Sequence, residues 1–189
     1  MTGKPYHHGD LRRVLLAAAV SVIEESGPAA LSLRDLARRA GVSHAAPAHH
    51  FGDKAGLLTA VAAEGYHLLD TALRAAGKDL SEVGVAYVQF AVDHRAHFEV
   101  MFRPELYRED DPEVATARRR AGESLRAGLS ALPALPALPP GDGADLAALA
   151  AWSIVHGFAT LWLGGALPAE LGDDPAPAAR SVIRLLFSS

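Results

Sequence analysis

Apolar residues recur every three to four positions through most of this chain, and the breaks between such runs predict a string of helices. Leu11, Val14, Leu15, Ala18 and Val22 form one stripe, so a first helix is predicted from Asp10 to about Ser26, ended by Gly27-Pro28. Leu33, Leu36, Ala37 and Ala40 form the next apolar face, with Ser32 placed to cap it and Gly41 to end it. Val42 can fill the gap between helices, and Ser43 is placed to cap a third helix from His44 to His50. Asp53 can cap a fourth, long helix from Lys54 to about Gly77, apolar at Leu57, Leu58, Val61, Ala62, Tyr66, Leu68, Leu69 and Leu73.

The second half repeats the pattern with wider apolar faces. A helix is predicted from Asp79 to about Arg95, apolar nearly all round and therefore buried. A short one follows from Ala96 to Phe102, before Pro104. Pro112 opens a helix to about Leu132, on which Arg118, Arg119 and Arg120 point in three directions and Glu123 lies four residues from Arg119. Residues 133–143, PALPALPPGDG, read as an irregular surface connector. Helices from Ala144 to about Leu163 and from Ala176 to Phe187 close the chain, and both carry more apolar surface than a monomer should leave wet.

Two short helices around a glycine turn have the spacing of a helix-turn-helix, whose second helix enters a DNA major groove. The run LRDLARRAGVSHAAPAHHFGDKAGLL resembles the DNA-binding domain of TetR/AcrR-type transcriptional regulators: it joins the leucine-alanine face, the GVS turn, the HF closing pair and the following lysine. Trp152, His156 and Gly157 form a W-x-x-x-H-G run that resembles a WHG-type C-terminal domain, and YHHGDLRR and HFEVMFRPEL look like the same subset. The resemblance implies an all-α chain. Residues 1–53 would be a three-helix DNA-binding domain, and residues 54–189 a helical-bundle ligand-binding and dimerisation domain. It also implies a homodimer through the last two helices, a palindromic operator in double-stranded DNA, and a small-molecule effector that shifts the long helix. The family usually carries a tyrosine where this chain has Ala48.

Against DNA the reading places Lys4 on an N-terminal arm, with Ser32, Arg34, Ser43, His44, Ala45, Ala46, Ala48, His49 and Lys54. Methyl groups can meet thymine methyls and imidazoles can bond base edges or phosphates, but no arginine or glutamine on the third helix offers a bidentate base contact. Specificity is therefore expected to rest partly on DNA shape and phosphates. Lys54, near the start of a helix, is positioned to share a phosphate with free N–H groups. Against the effector the reading places Tyr66, His94, His97, Phe98, Met101, Phe102, Tyr107, Trp152 and His156. In a chain of low aromatic content these supply the apolar walls and few polar tips that small-molecule pockets use.

Composition narrows the alternatives. The chain has 189 residues, no cysteine and a net charge of −4, so disulfides and thiolate metal sites are impossible. Residues 1–60 carry seven Lys/Arg against five Asp/Glu and the remainder eleven against seventeen, a basic head on an acidic body. No run reads as membrane-spanning and the N-terminus lacks a signal-peptide core, which fits the cytoplasm. There is no H-E-x-x-H, no glycine-rich phosphate loop and no G-x-S-x-G elbow, so neither an enzyme nor a cofactor is expected. The function that the resemblance implies is a ligand-responsive DNA-binding regulator, in that family most often a repressor. Two rivals stand beside it: a helical small-molecule-binding protein with an impaired DNA head, and a metal-dependent protein built on His94, His97 and His156.

Overall fold

The computed structural model describes residues 8–129 and 143–187. Lys4 and the proline-rich stretch 133–142 lie outside the described residues. Among the described residues there are nine α-helices and no strand: α1 (His8–Ser26), α2 (Leu33–Ala40), α3 (Ala46–Phe51), α4 (Lys54–Ala75), α5 (Leu80–Asp93), α6 (Arg95–Met101), α7 (Pro112–Leu129), α8 (Gly143–Leu163) and α9 (Pro175–Phe187). The chain forms two compact units.

The first unit contains residues 1–65 and 96–115. In it α1 packs on α2, on α3 and on the 3-10 turn Pro28–Ala30, and α2 packs on α3. The buried face of α1 is Leu15, Leu16, Ala19, Val22 and Ile23, whereas Val14 is 36% exposed. The predicted stripe through Leu11, Val14 and Ala18 is thus rotated by part of a turn. The run VLLAAAVSVI is apolar in two helical registers, and packing against α2 selects between them.

Ser32 caps α2, its hydroxyl accepting the Asp35 N–H at 3.5 Å. Gly41 ends α2 in the left-handed conformation (φ 67°), and the Val42 N–H reaches back to the Ala37 carbonyl at 3.0 Å. The third helix starts two residues later than its sequence suggests. Ser43 is not its cap; Ala45 holds that position without a side-chain hydrogen bond. Pro47 becomes the second helical residue instead of the fourth. A missing N–H costs nothing in the first turn, so proline sets the start and the serine is left outside.

The second unit contains residues 66–95 and 116–189. Here α5 lies against both α8 and α9. Asp79 caps α5 through the Glu82 N–H at 3.1 Å. Its buried side is Val83, Gly84, Tyr87, Val88, Phe90 and Ala91. Gly84 lets the neighbours close in: a Cβ there would lie 2.5 Å from Ile183 Cδ1 of α9 and 3.2 Å from Val155 Cγ1 of α8. The Arg180 guanidinium of α9 donates to both carboxylate oxygens of Glu82 on α5, at 2.9 and 3.0 Å. That guanidinium holds the Glu82 carboxyl below its usual range. On α7, Arg119 pairs with Glu123 at 3.6 Å, as their spacing predicts.

One sequence expectation needs correction. The segment Leu146–Leu163 of α8 is long and apolar enough to cross a membrane by length and composition. Its interruptions are Ser153, His156, Gly157 and Thr160, which are polar or small but uncharged. Only 22% of it is buried within the chain.

Candidate functional site

The polypeptide from Ser43 to Phe51 is the candidate DNA-reading segment. Ser43, His44, Ala45, Ala48 and His49 are exposed and Ala46 is half-buried, while Pro47 and Phe51 turn inward. The Arg12 guanidinium sits 5.3 Å above the Phe51 ring, which ties α3 to α1. His49 and His50 meet edge to face at 5.4 Å in the last turn of α3. The outward surface of α3 is therefore methyl groups and imidazoles, as its sequence implied. Ser32 is half-buried and already engaged as a cap, while Arg34 is exposed on the first turn of α2.

Lys54 has an intramolecular role. Its ammonium donates to the Ala29 carbonyl at 2.9 Å, joining the start of α4 to the 3-10 turn after α1. The Gly56 N–H in the same turn is taken by Asp53 Oδ1 at 2.8 Å. The idea that Lys54 and free N–H groups share a phosphate must therefore reckon with donors that already have acceptors inside the chain.

The candidate effector residues fall into two groups, one in each unit. In the first unit, His97 is buried on α6 and its Nε2 lies 2.9 Å from Glu64 Oε2. The Phe98 and Phe102 rings meet tilted, with centroids 4.9 Å apart. Tyr107 donates its hydroxyl proton to the Met101 carbonyl at 3.0 Å, and Met101 is 1% exposed.

In the second unit, Tyr66 is buried and His94 ends α5 with its ring 5.3 Å from Phe90. Trp152 and His156, one turn apart on α8, converge on Tyr87. The indole Nε1–H donates to the Tyr87 oxygen at 3.1 Å, and that hydroxyl lies 3.0 Å from His156 Nδ1. Burial pushes the Tyr87 phenol well up from its ordinary value. Burial also lowers the His156 imidazole. Tyr87 was missed from sequence. Its signal was a lone phenol among the apolar residues of α5, since a buried Tyr needs a partner for its hydroxyl.

Among the described residues, no three His, Cys, Asp or Glu side chains gather as a metal-binding group. His97 lies in one unit and His94 and His156 in the other.

Two family models match the sequence. Residues 15–61 match bacterial regulatory proteins of the tetR family. Residues 80–186 match the tetracyclin repressor-like C-terminal domain. No curated protein matches the sequence. Among solved structures, a protein of unknown function from Rhodococcus sp. RHA1 is 35% identical, with a TM-score of 0.76 over 99% of this chain and 100% of that one. A tetR-family bacterial regulatory protein from Rhodococcus RHA1 is 25% identical, with a TM-score of 0.71 over 94% of this chain and 95% of that one. The fold is also that of the TetR-like regulator LfrR from Mycobacterium smegmatis, solved with proflavine, at 20% identity and a TM-score of 0.65 over 92% of this chain and 94% of that one. With an N-terminal helix-turn-helix and a C-terminal domain that both match its models, this chain belongs to the TetR family of transcriptional regulators.

Proposed function

We propose that this regulator acts as a homodimeric repressor that a small molecule releases from a palindromic operator. The observation that carries the reading is the α3 surface. Five residues stand exposed there, Ser43, His44 and Ala45 in the turn before α3 and Ala48 and His49 on the helix itself, which α1 and α2 brace and no side chain caps. The DNA-reading domain is assigned to residues 1–53 and the ligand-binding and dimerisation domain to residues 54–189. A dimer would set two α3 helices one DNA turn apart, about 34–36 Å. Ser32, Arg34, Ser43, His44, Ala45, Ala46, Ala48, His49 and Lys54 are proposed to face DNA, with Lys4 on the N-terminal arm.

The effector is proposed to meet the aromatic and histidine side chains of the C-terminal domain. Tyr66, His94, His97, Phe98, Met101, Phe102, Tyr107, Trp152 and His156 stay candidates, joined by Tyr87. Proflavine bound to LfrR supports a role for this fold in holding flat aromatic molecules. The ligand can move the equilibrium only by its differential affinity for the two conformers, so operator DNA should weaken effector binding by the same factor. The protein is proposed to work in the cytoplasm, by binding and not by catalysis.

The test is binding of purified protein to the DNA upstream of its own gene, titrated with salt and unrelated DNA. Tight, competitor-resistant binding with a steep salt slope is the expected result. Ala48 favours a second reading, a ligand-binding helical protein with a weakened DNA head, because an exposed methyl stands where the family usually has a phosphate-binding phenol. Failure to select any sequence from a random DNA pool, with small-molecule binding intact, would favour that second reading.

A further inference from the structure

The start of α4 is held by more than a helix cap. Asp53 uses Oδ1 to accept the Gly56 N–H at 2.8 Å and Oδ2 to accept the Arg108 guanidinium at 2.8 Å. Arg108 lies 55 residues further on, between α6 and α7. Its backbone N–H donates to Thr59 Oγ1 at 3.0 Å, and the buried Thr59 hydroxyl donates in turn to the Ala55 carbonyl at 2.7 Å. Arg108 therefore grips the first two turns of α4 at two heights, through its side chain and its backbone.

Gly56 lies inside this grip. A Cβ there would strike the Phe51 carbonyl oxygen and lie 2.6 Å from Arg108 Nη1. Only hydrogen at that position lets the guanidinium and the end of α3 come so close. Phe51 is the last residue of α3, and its carbonyl accepts the Asp53 N–H at 3.0 Å. The turn that ends α3 and the ion pair that anchors α4 are thus one piece of structure.

The pair is half exposed on both sides, Arg108 at 48% and Asp53 at 61%, so it adds little to global stability. What it fixes is direction. α3 has six residues and no side-chain cap, so beside its packing on α1 and α2 what holds its C-terminal end bears on its orientation. We propose that Arg108 is a positioning residue for DNA reading: it holds the α3–α4 turn from the loop before α7 and so sets the angle at which α3 is presented. The inference rests on the DNA-binding reading above.

The test uses the full chain with Arg108→Gln, Asp53→Asn, Arg108→Lys and the Gln/Asn double variant. Asparagine keeps the carbonyl that caps α4 and removes the charge. Each protein is measured against the operator selected by the wild type, against operators with half-sites one base pair closer or further apart, and against random DNA. Thermal midpoints are taken in parallel. Arg108→Gln and Asp53→Asn should each bind the native operator about five-fold more weakly, the most that an exposed ion pair can supply. They should also discriminate less among the spacings, while random-DNA affinity and thermal midpoint hold. The double variant should be no weaker than either single one, and Arg108→Lys should recover part of the loss. Variants that bind as the wild type does, or that lose affinity for every DNA equally, overturn the positioning role alone. A wild type that selects no sequence overturns the DNA reading itself, and the role of Arg108 with it.

Discussion

Tyr87 stands between two polar partners on α8. The Trp152 indole N–H can only donate, so the Tyr87 oxygen accepts from it at 3.1 Å. The hydroxyl also lies 3.0 Å from His156 Nδ1, a contact that a neutral imidazole satisfies as acceptor or as donor. Burial favours the neutral form by lowering the His156 pKa from 6.5. A histidine with a lowered folded-state pKa stabilises the fold fully above its unfolded pKa. That contribution is lost as pH falls from about 6.5 toward the lowered value, because the unfolded chain takes up the proton first. Urea unfolding followed from pH 7.5 to 5 should therefore show a flatter pH dependence for His156→Gln than for the wild type. The difference between the two curves is the quantity to read. Coincident slopes would mean that His156 is not held neutral.

The helices were legible where local signals agreed and displaced where they competed. Ser32, the Leu36–Ala37 face and Gly41 all point to one helix, and α2 begins and ends where they say. At α3 a serine in cap position competes with a proline that favours the first turn, and the proline prevails. At α1 two apolar registers overlap, and only packing against α2 could choose the face with Leu16 and Ile23. The grip of Arg108 on Asp53 had no local signal, because the partners lie 55 residues apart. The two serines make a direct comparison. Ser32→Ala should cost about 0.5–1 kcal/mol in denaturant unfolding, the lower part of the range for a lost cap because the bond is long. Ser43→Ala should leave stability within about 0.5 kcal/mol, since no helix N–H depends on its hydroxyl. Equal losses would mean that Ser43 caps α3 after all.

At the scale of the whole molecule, the last two helices leave apolar surface without a cover in one chain. Leu146, Leu149 and Leu161 of α8 are 46%, 52% and 48% exposed, and Leu185 of α9 is 81% exposed. Their apolar character was legible in the sequence. What covers them was not, because pattern alone cannot distinguish a lipid, an intramolecular partner and a second copy. The neighbours of the leucines favour a second copy. Ser153 and Thr160 are also exposed on α8, and small polar residues of this kind suit a tight helix contact better than a lipid-facing surface. A helix of 21 residues is about 30 Å long, enough for two copies of α8 and α9 to bury the ~1,200–2,000 Å² of a stable interface. The wild type should therefore purify without detergent and sediment as a dimer. Leu149→Glu combined with Leu185→Glu should sediment as a monomer that keeps its helical circular dichroism, because both side chains already lie at the surface. The monomer should still bind a half-site but lose the gain in affinity that a linked second head brings to the full palindrome. A double variant that remains dimeric would move the interface off this face, and a wild type that enters solution only with detergent would favour lipid as the cover of α8.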